Sequence, residues 1–395
     1  MFNIPTEGVA RWRRRDRAEL NEPSREGHGF RAWLFGAFLL LTVLSGGATS
    51  RASDIIDDTL RSLAHYQPAP FTVPEGAAYV DAIGGAITIM GYNDMGEMLE
   101  SLNALFAAAH PGFKFRLTLK GTATGAPALM HGKSAFAPMG AEFSAIESIP
   151  YRFVVGQDPF AIRVAHCSLN ARGKSALATA NLPPGAEKPT GDAAAPIGIF
   201  VNEANPLSRL TIGQVARIFS SGTPGGDITH WGQLGLKGEW ARRSIHPCGV
   251  EEQAAAGIAA EMLKHHLAGR PFPPDFDAYP QSLEVINRII EDRSAIGFAS
   301  GNLVRPGVKA VALAEKEDGY YSSLNIGDIV TGKYPLNRYL YFYVRRVSGQ
   351  PFDPFVKEYL RLVLSQEGQR AIAEAPPGYL PLNASEVAEE LAKLQ

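Results

Sequence analysis

Apolar positions change their spacing repeatedly along the chain, and each change of period predicts an element. Ala86–Met90 (AITIM) is a short β-rich run, followed by the turn residues Gly91, Tyr92, Asn93 and Asp94. Met95, Met98, Leu99, Leu102, Leu105 and Phe106 then recur at three-and-four spacing, the signature of an amphipathic helix. Asn93 or Asp94 is its natural N-cap, because a short side-chain oxygen there can accept a free amide of the first turn. Pro111-Gly112 ends that unit, Phe113–Leu119 (FKFRLTL) alternates as a strand does, and Gly121–Gly125 (GTATG) turns into a second helix. Further strands are predicted at Phe160–Ala165, Ile197–Val201, Ile296–Ala299, Val308–Leu313 and Tyr339–Val344. Helices are predicted at Thr211–Phe219, Ala254–His266, Leu283–Asp292, Pro354–Glu374 and Ser385–Leu394, with Asn383 and Glu386 as a capping pair for the last. Strands alternating with helices indicate an α/β fold.

Two stretches lack this periodicity. Residues 53–81 read as a loosely structured leader, and residues 170–196, rich in Ala, Pro, Gly and Lys, as a flexible surface loop. The first 52 residues differ again. Arginines from Arg11 to Arg31 precede an apolar run, Ala32–Leu44, which Gly46-Gly47 break; Ser50-Arg51-Ala52 then offers small residues at the −3 and −1 positions of a cleavage site. The run is shorter than the roughly 20 residues of a spanning helix. It reads as an export signal over 1–52, placing the mature chain in the periplasm, with an uncleaved anchor as the alternative. No Cys follows the run, which excludes a lipoprotein.

Composition narrows the function classes. Eight of the 38 Lys+Arg and five of the 40 Asp+Glu fall in residues 1–52, so the body is net acidic. That excludes the concentrated basic surface of a nucleic-acid binder. A 45% hydrophobic, 20% charged chain of 395 residues is globular rather than fibrous or disordered. No Gly-x-Ser-x-Gly, His-Glu-x-x-His or Gly-x-x-x-x-Gly-Lys-Ser/Thr pattern occurs, so neither an enzyme nor a cofactor is expected. His166-Cys167 and His246-Pro247-Cys248 hold metal-ligand types. Neighbours on a strand point to opposite faces, so His166 and Cys167 would not ligate together, and no metal is expected.

Several segments, taken in order, carry a resemblance: GYNDM (91–95), LKGTATGAPALMHGKSAFAPM (119–139), DITHWGQLG (227–235), AIGFASGN (295–302), GKYPLNRYLYFYV (332–344) and DPFVKEYLRLVLSQEGQ (353–369). Over about 82–383 the chain resembles the periplasmic phosphate-binding proteins of ABC transporters. The resemblance implies a two-lobed type II periplasmic-binding-protein fold, one lobe from 82–163 plus 310–395 and the other from 164–309. It also implies a small solute held between the lobes and an inner-membrane ABC permease as partner. In that family turn amides, Ser and Thr hydroxyls, an Arg and a carboxylate hold phosphate.

The binding loops depart from the family pattern. Gly91-Tyr92-Asn93-Asp94 replaces a Gly-Ser-x-Thr type loop, whereas Gly121-Thr122-Ala123-Thr124 keeps the hydroxyls. Gly140-Ala141-Glu142 lacks the Ser-Arg or Ser-Asp pair, and Val250 with Ala254–Ala256 replaces the Arg and Ser-Gly-Thr of the third loop. The resemblance then implies a rebuilt ligand site, with Asn93, Asp94, Thr122, Thr124, Gly140, Glu252 and Gln253 as contacts and phosphate itself left open. Asn93, Thr122, Thr124 and Gln253 are its hydrogen-bonders; Asp94 and Glu252 are acceptors for a protonated or cationic group. By the family alignment Cys167 and Cys248 both fall in the middle lobe, where a disulfide is geometrically open and two separate thiols are the alternative. The competing class is a periplasmic interaction or sensory module that keeps the fold without transport.

Overall fold

In a computed structural model, two large hydrophobic cores and a smaller third cluster around Met139, Phe143, Tyr341 and Tyr343 organise the described residues, which are 52–169, 194–252, 257–347, 349–376 and 378–395. The segments expected to form the export signal and most of the 170–196 loop lie outside them.

The first core is built on β1 (Ile87–Gly91), parallel to β2 (Phe115–Leu119), with Ile87 opposite Phe115. Beside them, β3 (Ala137–Met139) and β4 (Phe160–His166) flank the C-terminal strand β12 (Tyr339–Val344), both antiparallel to it. The helix Gly96–Ala109 buries Met98, Leu99, Leu102 and Phe106, the stripe that the periodicity predicts. Phe106 packs 5.5 Å from Phe355 and 5.2 Å from Tyr359, between ring centroids, which ties this helix to the C-terminal segment.

The second core surrounds a five-stranded sheet ordered β10-β5-β9-β7-β8. Its strands are β5 (Ile197–Asn202), β7 (His246–Val250), β8 (Asp277–Tyr279), β9 (Ala295–Ser300) and β10 (Val308–Ala310). All six residues of β5 and of β9 are buried, as apolar runs covered on both faces should be. A two-stranded parallel pair, β6 (Arg209–Thr211) with β11 (Ala312–Ala314), completes it.

Several expectations are corrected. Within residues 53–81 the chain is helical to 61, Leu60 and Leu63 are buried in the first core, and Tyr79 donates to Asp353 Oδ2 at 2.8 Å, while 64–74 carries no helix or strand. Neither Asn93 nor Asp94 caps the helix Gly96–Ala109, because Asn93–Met95 forms a one-turn helix ahead of it. Val308–Leu313 is two strands that serve different sheets. Pro354–Glu374 is two helices, Pro354–Val363 and Gln366–Glu374, with Ser365 capping the second through the Gly368 amide. Asn383 and Glu386 do form the expected capping box.

Two crossings between the cores are bonded to each other. Cys167 N–H donates to Arg338 O at 2.9 Å and Ile197 N–H to Leu336 O at 3.0 Å. Val164, Ala165 and Cys167 accordingly pack in the first core, and Val311 to Leu336 in the second. The second of these crossings lies between Leu336, in the second core, and Leu340, in the first.

Gly249 in β7 shows how tightly the second core is filled. A Cβ placed there would come 2.4 Å from the Phe298 ring and 2.8 Å from Phe276. Gly249→Ala should therefore cost about 1–3 kcal/mol through overpacking, read as a lower midpoint in guanidinium unfolding. An unchanged midpoint would contradict this packing.

Candidate functional site

Three turns of the first core meet where their strands end. A Cβ on Gly91 would lie 2.4 Å from Pro138 O, and the Gly125 Cβ position is 3.6 Å from the Gly91 Cα. Only glycine permits backbones to approach so closely. The Gly140 Cβ position is 2.7 Å from the Tyr92 ring, so that ring lies directly on the third turn. Tyr92 N–H also donates to Pro138 O at 2.9 Å.

Within the first turn, Asp94 is held by two donors. Tyr92 hydroxyl donates to Asp94 Oδ2 at 2.8 Å and Asn93 Nδ2 to Oδ1 at 2.9 Å, while the Asp94 carbonyl accepts from Tyr379 hydroxyl at 3.3 Å. Burial, then the Asp94 charge and the bond to it, push the Tyr92 hydroxyl far above its ordinary value, so it remains a donor. In the second turn Thr124 Oγ1 donates to Gly121 O at 2.8 Å. Among the described residues no hydrogen bond engages the half-buried Thr122 hydroxyl.

The second core supplies the facing segment. The Gly257 Cβ position is 3.4 Å from Ala141 Cβ, and a helix Ile258–Glu261 runs into a π-turn, Met262–His266. From that turn Lys264 Nζ pairs with Glu142, and His265 Nε2 lies 3.2 Å from the same carboxylate. Glu252 is exposed after β7, and Gln253 lies outside the described residues. Of the residues expected at the site, Asn93 and Asp94 touch each other, and the turns bearing Thr122, Thr124 and Gly140 lie against theirs. No contact among the described residues joins Glu252 to that group.

Sequence reasoning missed four groups here. Tyr92, Glu142 and Glu261 sat in turns or helices read for other residues. Arg338 was visible as the lone charge in the apolar run LNRYLYFYV; it is 2% exposed and Nη1 donates to Ala195 O at 3.3 Å. Burial raises both the Cys167 thiol and the Glu261 carboxyl, and the Arg338 charge offsets part of that rise.

Cys167 and Cys248 form no bridge. Both are free and buried, Cys167 in the first core and Cys248 in the second. The middle-lobe placement of Cys167 fails because β4 continues through His166 before the chain crosses. Burial pushes each thiol up to about 12, so neither is a thiolate at neutral pH.

The family model described as a PBP superfamily domain matches residues 72–367. The chain belongs to that superfamily. It is 28% identical over 314 residues to the phosphate-binding protein PstS of Pseudomonas aeruginosa, in two strains, covering 79% of this chain and 87% of the relative. Among solved structures it is similar to an ABC-type phosphate transport receptor from Vibrio cholerae, at 19% identity and TM-score 0.46 over 75% of this chain and 99% of that one. PstS from Borrelia burgdorferi matches at 14% identity and TM-score 0.46, over 76% and 99%. These relatives are named as binding proteins and a receptor, not as enzymes, in keeping with the missing catalytic motifs.

The Glu142 contact yields a pH prediction. Burial pushes its carboxyl up, but the Lys264 and His265 hydrogen bonds outweigh this and hold it below the usual range. A carboxyl held low stabilises above its unfolded value, about 4.3, and that contribution is lost as pH falls through the folded value. Lys264 is 63% exposed, which limits the effect. Glu142→Gln should lower stability at neutral pH by at most about 1 kcal/mol. In urea titrations the gap from the parent should close as the pH falls below about 4. A gap that persists in acid would assign the effect to packing instead of charge.

Proposed function

We propose that this chain is the exported solute-binding component of an ABC importer. It takes a small protonated oxyanion, phosphate first, against the turns at 91–95, 121–125 and 139–142, and closes on it with the 250–257 segment. Superfamily membership and the phosphate-binding relatives of Pseudomonas aeruginosa support this reading. The observation that carries it is the convergence of the three turns, with Asp94 fixed by Tyr92 and Asn93 and the Thr122 hydroxyl unengaged. Thr122 and turn amides donate to the oxyanion, and Asp94 accepts the proton that phosphate carries near neutral pH and sulfate lacks. Glu252 and Gln253 complete the contacts from the facing segment, and Thr124, bonded within its own turn, positions Thr122.

Affinity is the quantity most affected by the departures from the family. Hydrogen bonds to a charged group contribute roughly 1.5–3 kcal/mol each. Replacing the Arg and two hydroxyls by Val250 and alanines therefore removes about 4.5–9 kcal/mol, or roughly three to six decades. The chain is a weak binder by that measure. The periplasm is its compartment; among the described residues no helix is long and apolar enough to cross a membrane. The permease partner meets the helix Ala145–Val155, which follows the third turn and exposes Ile146, Ile149 and Phe153 at 86%, 63% and 90%.

One observation favours a second reading. The Tyr92 ring lies directly on Gly140, filling space within the turns that would receive the solute. A sensory or interaction module that keeps the fold without transport would look like this.

Thermal unfolding against phosphate, with sulfate as control, separates the two. A ligand bound only by the folded form adds about 2.7 kcal/mol at a hundredfold excess over its dissociation constant. Phosphate should raise the melting temperature saturably and sulfate should not. Thr122→Ala should weaken phosphate by about tenfold or more, and Thr124→Ala by less. No shift with phosphate would overturn the transport reading and leave the second.

A further inference from the structure

Beside the three turns, sharing only Glu142 with them, lies a cavity of about 350 Å³. Its walls come from both cores, with β4 and β12 on one side and the Ile258–His266 segment on the other.

Two cations and the His265 imidazole line the cavity, and each already has a carboxylate beside it. Arg163 pairs with Glu390 and lies 2.6 Å from Glu389. Lys393 is 2.7 Å from Glu390, and His265 is 3.2 Å from Glu142. Acceptors are left over. Among the described residues no hydrogen bond reaches the Glu261 carboxyl or the Tyr341 hydroxyl. Asn337 Oδ1 is buried without a partner, its Nδ2 being spent on His166 Nδ1 at 2.7 Å. The cavity also has aromatic walls in Tyr339 and Tyr341, and the Arg163 guanidinium sits 4.9 Å over the Tyr339 ring, so one face already holds a cation.

A second anion would find only occupied cations here. A molecule that brings N–H donors and a positive charge would satisfy every leftover group. We propose that this cavity is a second binding site, for a small organic ammonium ion, with Glu261 as its counter-ion, Tyr341 hydroxyl and Asn337 Oδ1 as acceptors, and the Tyr341 ring as its apolar wall. Because Glu261 belongs to one core and Tyr341 and Asn337 to the returning crossing and β12, the ammonium bridges the two cores.

The Glu261 carboxyl itself carries a cost that makes the test clean. Burial raises the Glu261 carboxyl; Arg338, His265 and Lys264 pull it down, Glu142 pushes it up, and burial prevails. An acid raised on folding favours the folded state at low pH and loses that contribution as pH rises toward the folded value. Removing the charge therefore leaves the fold at neutral pH as stable or more so.

The experiment is calorimetric titration of the purified protein in phosphate-free buffer with benzylammonium and with its neutral isostere benzyl alcohol. Saturable benzylammonium binding is expected, with benzyl alcohol weaker by about tenfold or more. Glu261→Gln should lose about tenfold or more of the benzylammonium affinity while melting at the parent temperature or above it. Tyr341→Phe should show a smaller loss, and it decides the matter should Glu261→Gln fail to fold. Equal affinity for the two probes, no saturable benzylammonium binding at millimolar concentration, or unaltered binding by a folded Glu261→Gln would each overturn the proposal. Phosphate is absent throughout, so failure of the oxyanion reading leaves this result unaffected.

Discussion

His166, fully buried, stands where the first crossing leaves β4, and the arrangement of the two cores depends on how it is satisfied. Asn337 Nδ2 lies 2.7 Å from its Nδ1, and Glu386 Oε2 lies 3.0 Å from its Nε2 without hydrogen-bond geometry. Burial pushes the Glu386 carboxyl up, but His166, the Asn383 amide and the Tyr339 hydroxyl together hold it below the usual range. Leaving such a buried group unpaired costs about 1–3 kcal/mol. The imidazole therefore joins the outgoing crossing to the returning one through Asn337 and stands against Glu386 of the C-terminal helix Ala384–Ala392. The Cys167–Arg338 and Ile197–Leu336 backbone bonds fix the same pair of segments a few residues further on.

That pinned crossing sets the register of β12 against β3 and β4, and β3 delivers Pro138, Met139 and Gly140 to the turns. Phe143 N–H donates to Tyr343 hydroxyl at 2.9 Å, so the third turn is anchored to β12 as well. The chemistry of the turns is thus positioned by residues nearly two hundred positions away in sequence.

Much of the fold was legible because period and capping are local properties. Tyr339–Val344 and the helix Gly96–Ala109 were readable from alternation and three-and-four spacing, and Asn383 with Glu386 from side-chain chemistry alone. The misses are tertiary. β10 and β11 are separated by Val311 alone, and only their different partners, β5 and β6, reveal a break. Helix Ala145–Val155 was overlooked although Ser144 and Glu147 form a capping box, since Pro150 and its exposed apolar face obscure the usual inward stripe. Of the site, the turns could be read from Gly-rich strand ends. The ring of Tyr92 over Gly140, the pairing of Glu142 with Lys264, and Arg338 at the crossing are spatial facts with no sequence spacing to announce them.

The central claim is that the solute meets the first-core turns at 91–95, 121–125 and 139–142. Amide hydrogen exchange of the purified protein with and without phosphate tests it at the residues concerned. The account predicts slower exchange in those three turns when phosphate is present, with the β5 and β9 amides unchanged. Exchange that stays the same in all three turns while phosphate is bound would contradict it.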